Sequence, residues 1–234
     1  MDNPIKEAIV LAGGLGTRLR SEIGEFPKTL APVNGQPFLH YLLRYLKKNG
    51  IEKVILSVGF KHALVMEAIG DSFEGMEILY AIEKEPLGTG GAIKLALEKT
   101  KTDPLFVCNG DTFFDIDLHA LYEFHVAQKS NCTIALKDLE NVERYGSVET
   151  DETGKVLAFR EKQFREKTTI NGGIYCINHG MLIHYPVNTP FSLETNYLEN
   201  NPKAKKIYGK RFDGYFMDIG VPEDYQQFQK DVSK

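Results

Sequence analysis

Two aspartates follow short apolar runs, one near the middle of the chain and one near its carboxyl end. Asp111 comes after the run 105–108 and an Asn-Gly pair, and Asp218 follows Tyr-Phe-Met. A carboxylate beside buried strands is costly unless it is exposed or bound to a cation. Two such oxygen ligands suit one Mg²⁺ ion that also binds phosphate oxygens and water. The pair therefore predicts a magnesium site, although each aspartate alone is equally typical of a helix cap or a turn.

A glycine-rich loop follows the first apolar run of the chain. It has the sequence Leu11-Ala-Gly-Gly-Leu-Gly-Thr-Arg18, and its three glycines let backbone N–H groups approach a ligand closely, as phosphate binding requires. The dinucleotide-binding fingerprint would need a third glycine where Leu19 stands, and a P-loop would need Gly-Lys-Ser/Thr after four intervening residues. Neither pattern fits, so the loop predicts phosphate binding of another kind.

Two cations, Arg18 and Lys28, accompany this loop. Permanent positive charges beside backbone amides suit a triphosphate, whose charge must be neutralised before its α-phosphorus can be attacked. Either cation alone is more often a solvated surface side chain. Together with the loop they predict a nucleoside triphosphate site.

Strand-like and helix-like segments alternate in the first half of the chain. Apolar runs predict strands over 7–11, 54–58, 76–82 and 105–108, and the segments between them predict helices over 37–50, 62–69 and 90–100. This alternation predicts a twisted parallel sheet of the α/β class. Ligands of such sheets bind outside the carboxyl ends of the strands, which is where the loop and Asp111 stand.

The pattern changes beyond residue 130. Strands are predicted over 132–136, 146–149, 156–160 and 173–177, with a hairpin turn at 151–154, and short helices over 194–199 and 223–231. This part is expected to extend the sheet or to lie across it. No repeat or linker divides the chain, so the prediction is one Rossmann-like α/β domain over 1–234. Its sheet is mixed, mostly parallel and twisted, with a small antiparallel region.

Composition excludes several classes of protein. The 234 residues include 28 basic and 32 acidic side chains, a net charge of −4, which does not suit nucleic-acid binding. No apolar run is long enough for a membrane span or a secretory signal, so no membrane partner is expected. The cysteines are odd in number and widely spaced, which predicts buried reduced thiols and a cytoplasmic location. They are Cys108, Cys132 and Cys176.

The order of the motifs resembles that of the sugar-1-phosphate nucleotidylyltransferases, over almost the whole chain. A narrower resemblance, to the branch of that family that uses GTP and a heptose 1-phosphate, rests on the stretches 83–91, 109–115 and 218–224. The motifs that carry the family resemblance are Gly13-Gly-Leu-Gly-Thr-Arg18, Pro27-Lys28, Pro86-Leu-Gly-Thr-Gly90, Asn109-Gly-Asp111, Glu161-Lys162, Asn171-Gly-Gly173 and Asp218.

The resemblance implies a role for each motif. Residues 1–130 would serve mainly the nucleotide, and 131–234 mainly the sugar phosphate and the second metal ligand. Arg18, Lys28 and Asp111 would be catalytic, and Asp111 and Asp218 would hold Mg²⁺. The implied nucleotide-binding residues are Leu11, Ala12, Gly13, Gly14, Gly16, Thr17, Arg18, Lys28, Glu85, Gly88, Thr89, Gly90 and Asn109. The implied sugar-phosphate-binding residues, in the antiparallel region, are Tyr145, Gly146, Glu161, Lys162, Asn171 and Gly173.

The implied reaction transfers a nucleoside monophosphate from a nucleoside triphosphate to a sugar 1-phosphate and releases pyrophosphate. GTP and D-glycero-α-D-manno-heptose 1-phosphate are the expected pair. The alternatives within the family are mannose, glucose or amino-sugar 1-phosphates with GTP, UTP, CTP or dTTP. The oligomeric state stays open, a homo-oligomer included.

Two hypotheses from other classes are also open. One is a nucleotide-sugar glycosyltransferase that binds its metal through Asp115 and Asp117, although Asp117 precedes a periodic apolar segment and is more typical of a helix N-cap. The other is a non-catalytic nucleotide-sugar sensor. The joint presence of Arg18, Lys28 and the two aspartates argues against a sensor, which would need no metal or phosphate cations.

Overall fold

The computed structural model describes residues 3–14, 16–142, 145–160, 165–200 and 202–233. Within these ranges a ten-stranded mixed sheet is covered by helices on both faces. The helices are α1 (Arg20–Ile23), α2 (Phe38–Lys48), α3 (His62–Ile69), α4 (Gly88–Leu97), α5 (Leu118–Ala127) and α6 (Pro222–Asp231). The strands are β1 (Glu7–Leu11), β2 (Pro32–Val33), β3 (Gln36–Pro37), β4 (Lys53–Val58), β5 (Ser72–Phe73), β6 (Met76–Ile82), β7 (Leu105–Asn109), β8 (Thr112–Phe114), β9 (Cys132–Val142), β10 (Ser147–Thr150), β11 (Val156–Arg160), β12 (Arg165–Ile177), β13 (Ile207–Arg211) and β14 (Phe216–Asp218).

Four parallel strands form one half of the sheet, in the order β7-β1-β4-β6. Leu11 at the end of β1 is in register with Ser57 of β4 and with Asn109 of β7. The loops that follow these strands therefore meet at one edge. The strands 7–11 and 76–82 and the helix 62–69 have the predicted bounds, and α4 begins two residues before its predicted start.

The other half of the sheet is antiparallel. The long strand β12 pairs with β7, β9 and β10, and β11 continues the sheet beyond β10. The antiparallel region thus extends the sheet, and the predicted fold class, an α/β domain with a mixed sheet and a parallel core, is confirmed. The strand β13, which pairs with β9, was not predicted. Its sequence Ile-Tyr-Gly-Lys-Arg buries only Ile207 and Gly209, so the apolar signal is short.

A separate apolar cluster holds the short helices and the last strand together. Leu19, Ile23, Phe38, Ile219 and Phe228 are buried in it, and the rings of Phe38 and Phe228 lie 5.1 Å apart in an edge-on arrangement. These residues come from the glycine-loop segment, α1, α2, the residue after β14, and α6. The cluster therefore fixes the position of Asp218 relative to the glycine-rich loop.

The three cysteines have the environment that the sequence predicted. Cys108, Cys132 and Cys176 are buried free thiols, as predicted. Burial raises the pKa of the Cys108 thiol to about 12. In the part of the chain that the structure describes, the helices are too short or too polar to cross a lipid bilayer.

Candidate active site

A cleft of about 530 Å³ opens at the carboxyl edge of the parallel strands. Its walls come from the ends of β1, β6 and β7, the loop after β4, and the start of α4. This volume lies within the range of sites that bind small organic ligands. The described residues that line the cleft are Leu11, Gly13, Gly14, Gly59, Phe60, Glu83, Lys84, Glu85, Pro86, Gly88, Thr89, Ala92, Asn109 and Asp111.

The glycine-rich loop forms one wall of this cleft. Ala12 is buried, and its N–H donates to the carbonyl oxygen of Ser57 at 2.7 Å, so it anchors the loop to β4. A Cβ atom at Gly13 would lie 2.5 Å from Oε1 of Glu83, so only glycine lets this carboxylate come so close. Gly14 is open to solvent. Leu11, Gly13 and Gly14 thus reach the cleft, and Ala12 supports them.

The predicted catalytic lysine lies between the two predicted metal ligands. Nζ of Lys28 is 2.7 Å from Oδ2 of Asp111 and 3.7 Å from Oδ1 of Asp218. β14 pairs with β8, which sets Asp218 opposite Thr112, and the N–H of Ile219 donates to the carbonyl oxygen of Asp111 at 3.0 Å. Lys28 itself is 8% exposed. Residues distant in sequence therefore form one cluster beside the cleft.

The electrostatics of this cluster favour a cation. Burial, and next the charge of Asp111, raise the pKa of Asp218, while Lys28, the N–H of Gly220 and Arg18 lower it. The cost of burying the Asp218 carboxylate therefore exceeds what Lys28, Arg18 and the N–H of Gly220 return to it. Among the described residues no cluster of three or more His, Cys, Asp or Glu side chains could hold a metal. Two carboxylates are nevertheless enough for Mg²⁺, which keeps several waters and takes further oxygen ligands from substrate phosphates.

Three other predicted positions lie close to this cluster. Arg18 is exposed in the 3₁₀ turn Thr17–Leu19 and is near enough to lower the pKa of Asp218. A Cβ atom at Gly16 would lie 3.0 Å from Cβ of Lys28, so this glycine lets the loop pack on the lysine. Thr17 is described by its backbone only.

The loop after β6 supplies the opposite wall. Three of the predicted nucleotide-binding residues in this loop, Glu85, Gly88 and Thr89, line the cleft. Gly90 is not among the lining residues. A Cβ atom at Gly90 would lie 2.1 Å from the ring of Phe191, so its small size serves packing rather than ligand contact.

Glu83 is a candidate that the sequence interpretation missed. It lines the cleft, and its Oε2 accepts the N–H of Leu87 at 2.9 Å, which fixes the carboxylate at the start of the loop. The sequence held a signal for it, because Glu83 directly follows the predicted strand 76–82. The Asn109–Asp111 motif was predicted to be functional because it follows β7 in the same way.

The predicted sugar-phosphate residues come from the antiparallel half. The ring of Tyr145 lies 6.1 Å from that of Phe216 in β14, and a Cβ atom at Gly146 would lie 2.8 Å from the carbonyl oxygen of Arg160. Gly173 has a φ of +75° in a bulge of β12, and a Cβ atom there would lie 2.8 Å from Nδ2 of Asn109. Asn171 shares this bulge. Two further predicted residues, Glu161 and Lys162, lie outside the described residues.

Asp117 has the structural role that its sequence context predicted. Its Oδ1 accepts the N–H of Ala120 at 3.1 Å, which caps the N-terminus of α5. The capping hydrogen bond accounts for Asp117 without a metal, which removes the sequence argument for the glycosyltransferase hypothesis at this position.

Comparison with known proteins agrees with this geometry. A family model described as "Nucleotidyl transferase" matches residues 7–234. The chain is 46% identical over 226 residues to D-glycero-alpha-D-manno-heptose 1-phosphate guanylyltransferase of Aneurinibacillus thermoaerophilus, covering 97% of this chain and 98% of the relative. It is 47% identical over 222 residues to the protein of the same name from Campylobacter jejuni, covering 95% and 98%.

A solved structure shares the fold over almost the full length. The crystal structure of HddC from Yersinia pseudotuberculosis complexed with GMP-PN superposes with a TM-score of 0.87 at 34% identity, covering 97% of this chain and 100% of the other. Sequence, fold and relatives thus agree with the resemblance seen in the motifs. The chain belongs to the nucleotidyl transferase family.

Proposed function

We propose that this enzyme transfers GMP from GTP to D-glycero-α-D-manno-heptose 1-phosphate, giving GDP-heptose and pyrophosphate. The observation that carries the proposal is the 46% and 47% identity, over nearly the whole of both chains, to two enzymes named for that reaction. The crystal structure of a neighbour at 34% identity holds a guanine nucleotide analogue, which supports GTP as the donor. The buried free cysteines are consistent with a reducing compartment, the cytoplasm.

The proposed reaction is a displacement at phosphorus. A phosphate oxygen of the sugar 1-phosphate attacks the α-phosphorus of GTP, a new P–O bond forms, and the bond to the β-phosphate oxygen breaks. A phosphate monoester has its second pKa near about 6, so the attacking oxygen is already anionic at neutral pH and no protein base is needed. Catalysis then depends on alignment of the substrates and on neutralisation of their charge.

Asp111 and Asp218 are the residues proposed to hold Mg²⁺. Both carboxylates lie within 4 Å of the Lys28 ammonium, and burial disfavours the ionised form of Asp218, so a bound cation would stabilise it. Two carboxylates also leave room for water and phosphate ligands on Mg²⁺. When bound, the ion would neutralise charge on phosphate oxygens.

Lys28 and Arg18 are proposed to bind the triphosphate from two sides. Lys28 is buried, and its ammonium contacts Asp111, which lines the cleft. Arg18 is exposed on the glycine-rich loop, which lets its side chain reach the departing pyrophosphate. All the cleft-lining residues fall within 1–130, which supports assigning this part to the nucleotide.

The sugar phosphate is proposed to bind on the antiparallel side. Tyr145 lies against β14 and Gly173 against Asn109, so both border the Asp111–Asp218 cluster. A sugar phosphate held there would present its oxygen to the α-phosphorus at the junction of the two halves.

Glu83 is proposed to select guanine. Guanine presents two adjacent donors, N1–H and the exocyclic amine, which one carboxylate can accept together. Adenine, cytosine and uracil each place an acceptor next to a single donor at that edge, and this acceptor would face the carboxylate. Oε2 of Glu83 accepts the N–H of Leu87 at 2.9 Å and Oε1 accepts the hydroxyl of Ser57 at 3.5 Å, so each oxygen keeps a lone pair for one of the two guanine donors.

The test of the proposed function is a substrate panel. GTP, ATP, CTP, UTP and dTTP are each combined with heptose, mannose, glucose and N-acetylglucosamine 1-phosphates, and pyrophosphate release is measured. We expect kcat/KM with GTP to exceed that with every other nucleotide by at least about tenfold, since an unpaired buried polar group costs about 1–3 kcal/mol. Preference for a pyrimidine nucleotide would overturn the guanylyl assignment. Absence of pyrophosphate with every pair would favour a sensor.

A second prediction concerns base selection. The substitution Glu83→Gln replaces one acceptor oxygen by a donor, so it is expected to lower kcat/KM for GTP by roughly 10- to 100-fold, the cost of one mismatched buried hydrogen bond. The values for ATP and CTP should change much less. Glu77→Gln is the matched control, because Glu77 lies at the opposite end of the same strand, where it pairs with Lys53. An equal loss with all nucleotides would show that Glu83 supports the loop and does not read the base.

A further inference from the structure

The loop 83–90, here called the base-side loop because it is proposed to bind the base, packs against a distant segment of the chain. The N–H groups of Gly90 and Gly91 donate to the carbonyl oxygen of Phe191 at 3.0 and 3.3 Å, and the N–H of Phe191 donates to the carbonyl oxygen of Leu87 at 2.9 Å. The glycines at the start of α4 allow this contact, because a Cβ atom at Gly90 would overlap the ring of Phe191. The position of the loop therefore depends on residues 189–198.

Glu194 lies at the centre of this contact. Its Oε2 accepts the hydroxyl of Thr89 at 2.6 Å and the hydroxyl of Ser192 at 2.9 Å. The Thr89 hydroxyl in turn accepts the N–H of Leu193 at 2.9 Å. Thr89 was predicted to bind nucleotide, yet both hydrogen-bonding functions of its hydroxyl are already satisfied within the protein.

The other oxygen of Glu194 contacts side chains that lead to the Asn171–Gly173 bulge. Oε1 is 3.5 Å from the hydroxyl of Tyr175, a side chain with no exposed surface. Nδ2 of Asn171 donates to that hydroxyl at 2.8 Å, and Oδ1 of Asn171 accepts the N–H of Gly173 at 3.0 Å. Burial, and next the charge of Glu194, raise the pKa of the Tyr175 phenol, so it stays a neutral donor. Asn171 is therefore also engaged within the protein.

We propose that Glu194 is a positioning residue that holds the base-side loop and the Asn171–Gly173 bulge in a fixed relation. One oxygen fixes Thr89 beside the nucleotide cleft, and the other acts through Tyr175 and Asn171 on the bulge that packs against Asn109. Thr89 and Asn171 then fix the backbone beside the nucleotide cleft and beside the proposed sugar-phosphate site. Their side chains need not contact either substrate. This inference rests on the proposed function, because it assigns the bulge to the sugar phosphate.

Four single variants test this role. Tyr175→Phe removes only the hydroxyl, Glu194→Ala removes both contacts of the carboxylate, and Glu194→Gln keeps an oxygen that can accept from Thr89 and Ser192. The control is Tyr185→Phe, in the same region, whose hydroxyl donates to the carbonyl oxygen of Asn196 and whose ring stacks on Phe191. Steady-state KM values for both substrates and Tm are measured for each.

Tyr175→Phe is expected to raise KM for the sugar phosphate by roughly three- to tenfold, with KM for the nucleotide little changed. The hydroxyl makes two contacts, the hydrogen bond from Asn171 and the longer one to Glu194, and the variant loses both. Glu194→Ala should raise both KM values, and the control should match the wild type. Glu194→Gln should restore KM for the nucleotide, because its amide oxygen accepts from Thr89 and Ser192, but KM for the sugar phosphate should stay raised, because its amide nitrogen cannot accept the hydroxyl of Tyr175. Lower Tm with unchanged KM values in Tyr175→Phe and Glu194→Ala would overturn the proposal in favour of a purely structural role. So would a Glu194→Gln variant whose KM for the nucleotide is as high as that of Glu194→Ala.

These outcomes are separable from a failure of the proposed function. The variants are assayed with the nucleotide and sugar phosphate that the wild type uses best in the panel, whichever pair that is. A different preferred pair would therefore revise the substrate assignment and leave the comparison of KM values intact.

Discussion

Asp218→Asn is expected to lower kcat by about 100-fold or more, on the scale of losing an electrostatic stabiliser, and to raise Tm in metal-free buffer. The gain in stability follows from the raised pKa of Asp218, which is caused by burial and by Asp111. A carboxyl whose pKa is raised on folding contributes its stability below its ordinary pKa and loses it as pH rises through the raised value. At neutral pH the ionised form is therefore destabilising, and asparagine removes that cost.

Asp111→Asn is expected to lose activity to the same extent but to lower Tm. Asp111 makes the 2.7 Å ion pair with Lys28, so its removal leaves a buried ammonium without its nearest partner. The control is Asp115→Asn, an exposed aspartate nearby, which should leave kcat and Tm near the wild-type values. Measurements of kcat with saturating Mg²⁺, and of Tm with and without it, check these expectations. Near-normal Mg²⁺-dependent turnover in both variants would remove the metal assignment.

The parallel half of the fold was predictable because its signals are local. The strands β1, β4 and β7 are mostly apolar runs that are buried along almost their whole length. Helix α2 has an apolar face, on which Leu39, Leu42, Leu43 and Leu46 are all buried. The antiparallel half was less predictable. β12 runs from Arg165 to Ile177, but only its end at 173–177 was predicted, because the part before it is polar and pairs with β9 at long range.

The candidate site was predictable where it follows the ends of strands. Asp111 and Asp218 were expected to meet from their apolar contexts, and the structure brings both to Lys28. The role of Glu194 had no such signal, since its contacts with Thr89 and Tyr175 depend on how the segment 189–198 packs on α4. Gly90 shows the same dependence on packing, and its nucleotide-binding role stays a prediction. A glycine needed for packing against Phe191 has the same sequence appearance as one that admits a ligand.

Lys28→Met is expected to lower kcat by about 100-fold or more, because it removes a cation that is proposed to bind the triphosphate. It should also tighten the binding of Mn²⁺ to the nucleotide-free protein, since the ammonium of Lys28 holds the carboxylates that would bind the metal. Two unit charges 4 Å apart attract by about 4 kcal/mol at an effective dielectric constant near 20, so removal of this competitor can increase metal affinity by at least about tenfold. Titration followed by electron paramagnetic resonance measures the free Mn²⁺ directly.

Lys53→Met is the matched control for loss of a buried lysine. Lys53 pairs with Glu7 at 3.1 Å and its side chain is 16% exposed, but it lies at the opposite edge of the sheet. Both lysine variants should lower Tm, because each removes the ion pairs of a largely buried lysine, and only Lys28→Met should change Mn²⁺ affinity or kcat. Unchanged or weaker Mn²⁺ binding in Lys28→Met would show that the ammonium does not compete for the carboxylates.

The same competition predicts how nucleotide and metal bind together. A triphosphate in the cleft offers Lys28 a second anionic partner, so the ammonium can leave Asp111 and Asp218 when the nucleotide arrives. In the wild type, a non-hydrolysable GTP analogue should therefore increase Mn²⁺ affinity by two routes: added phosphate ligands and release of the carboxylates. Lys28→Met lacks the second route, so the increase caused by the analogue should be smaller in this variant than in the wild type. Because such coupling is reciprocal, Mn²⁺ should strengthen analogue binding by the same factor in each protein, which a second titration checks.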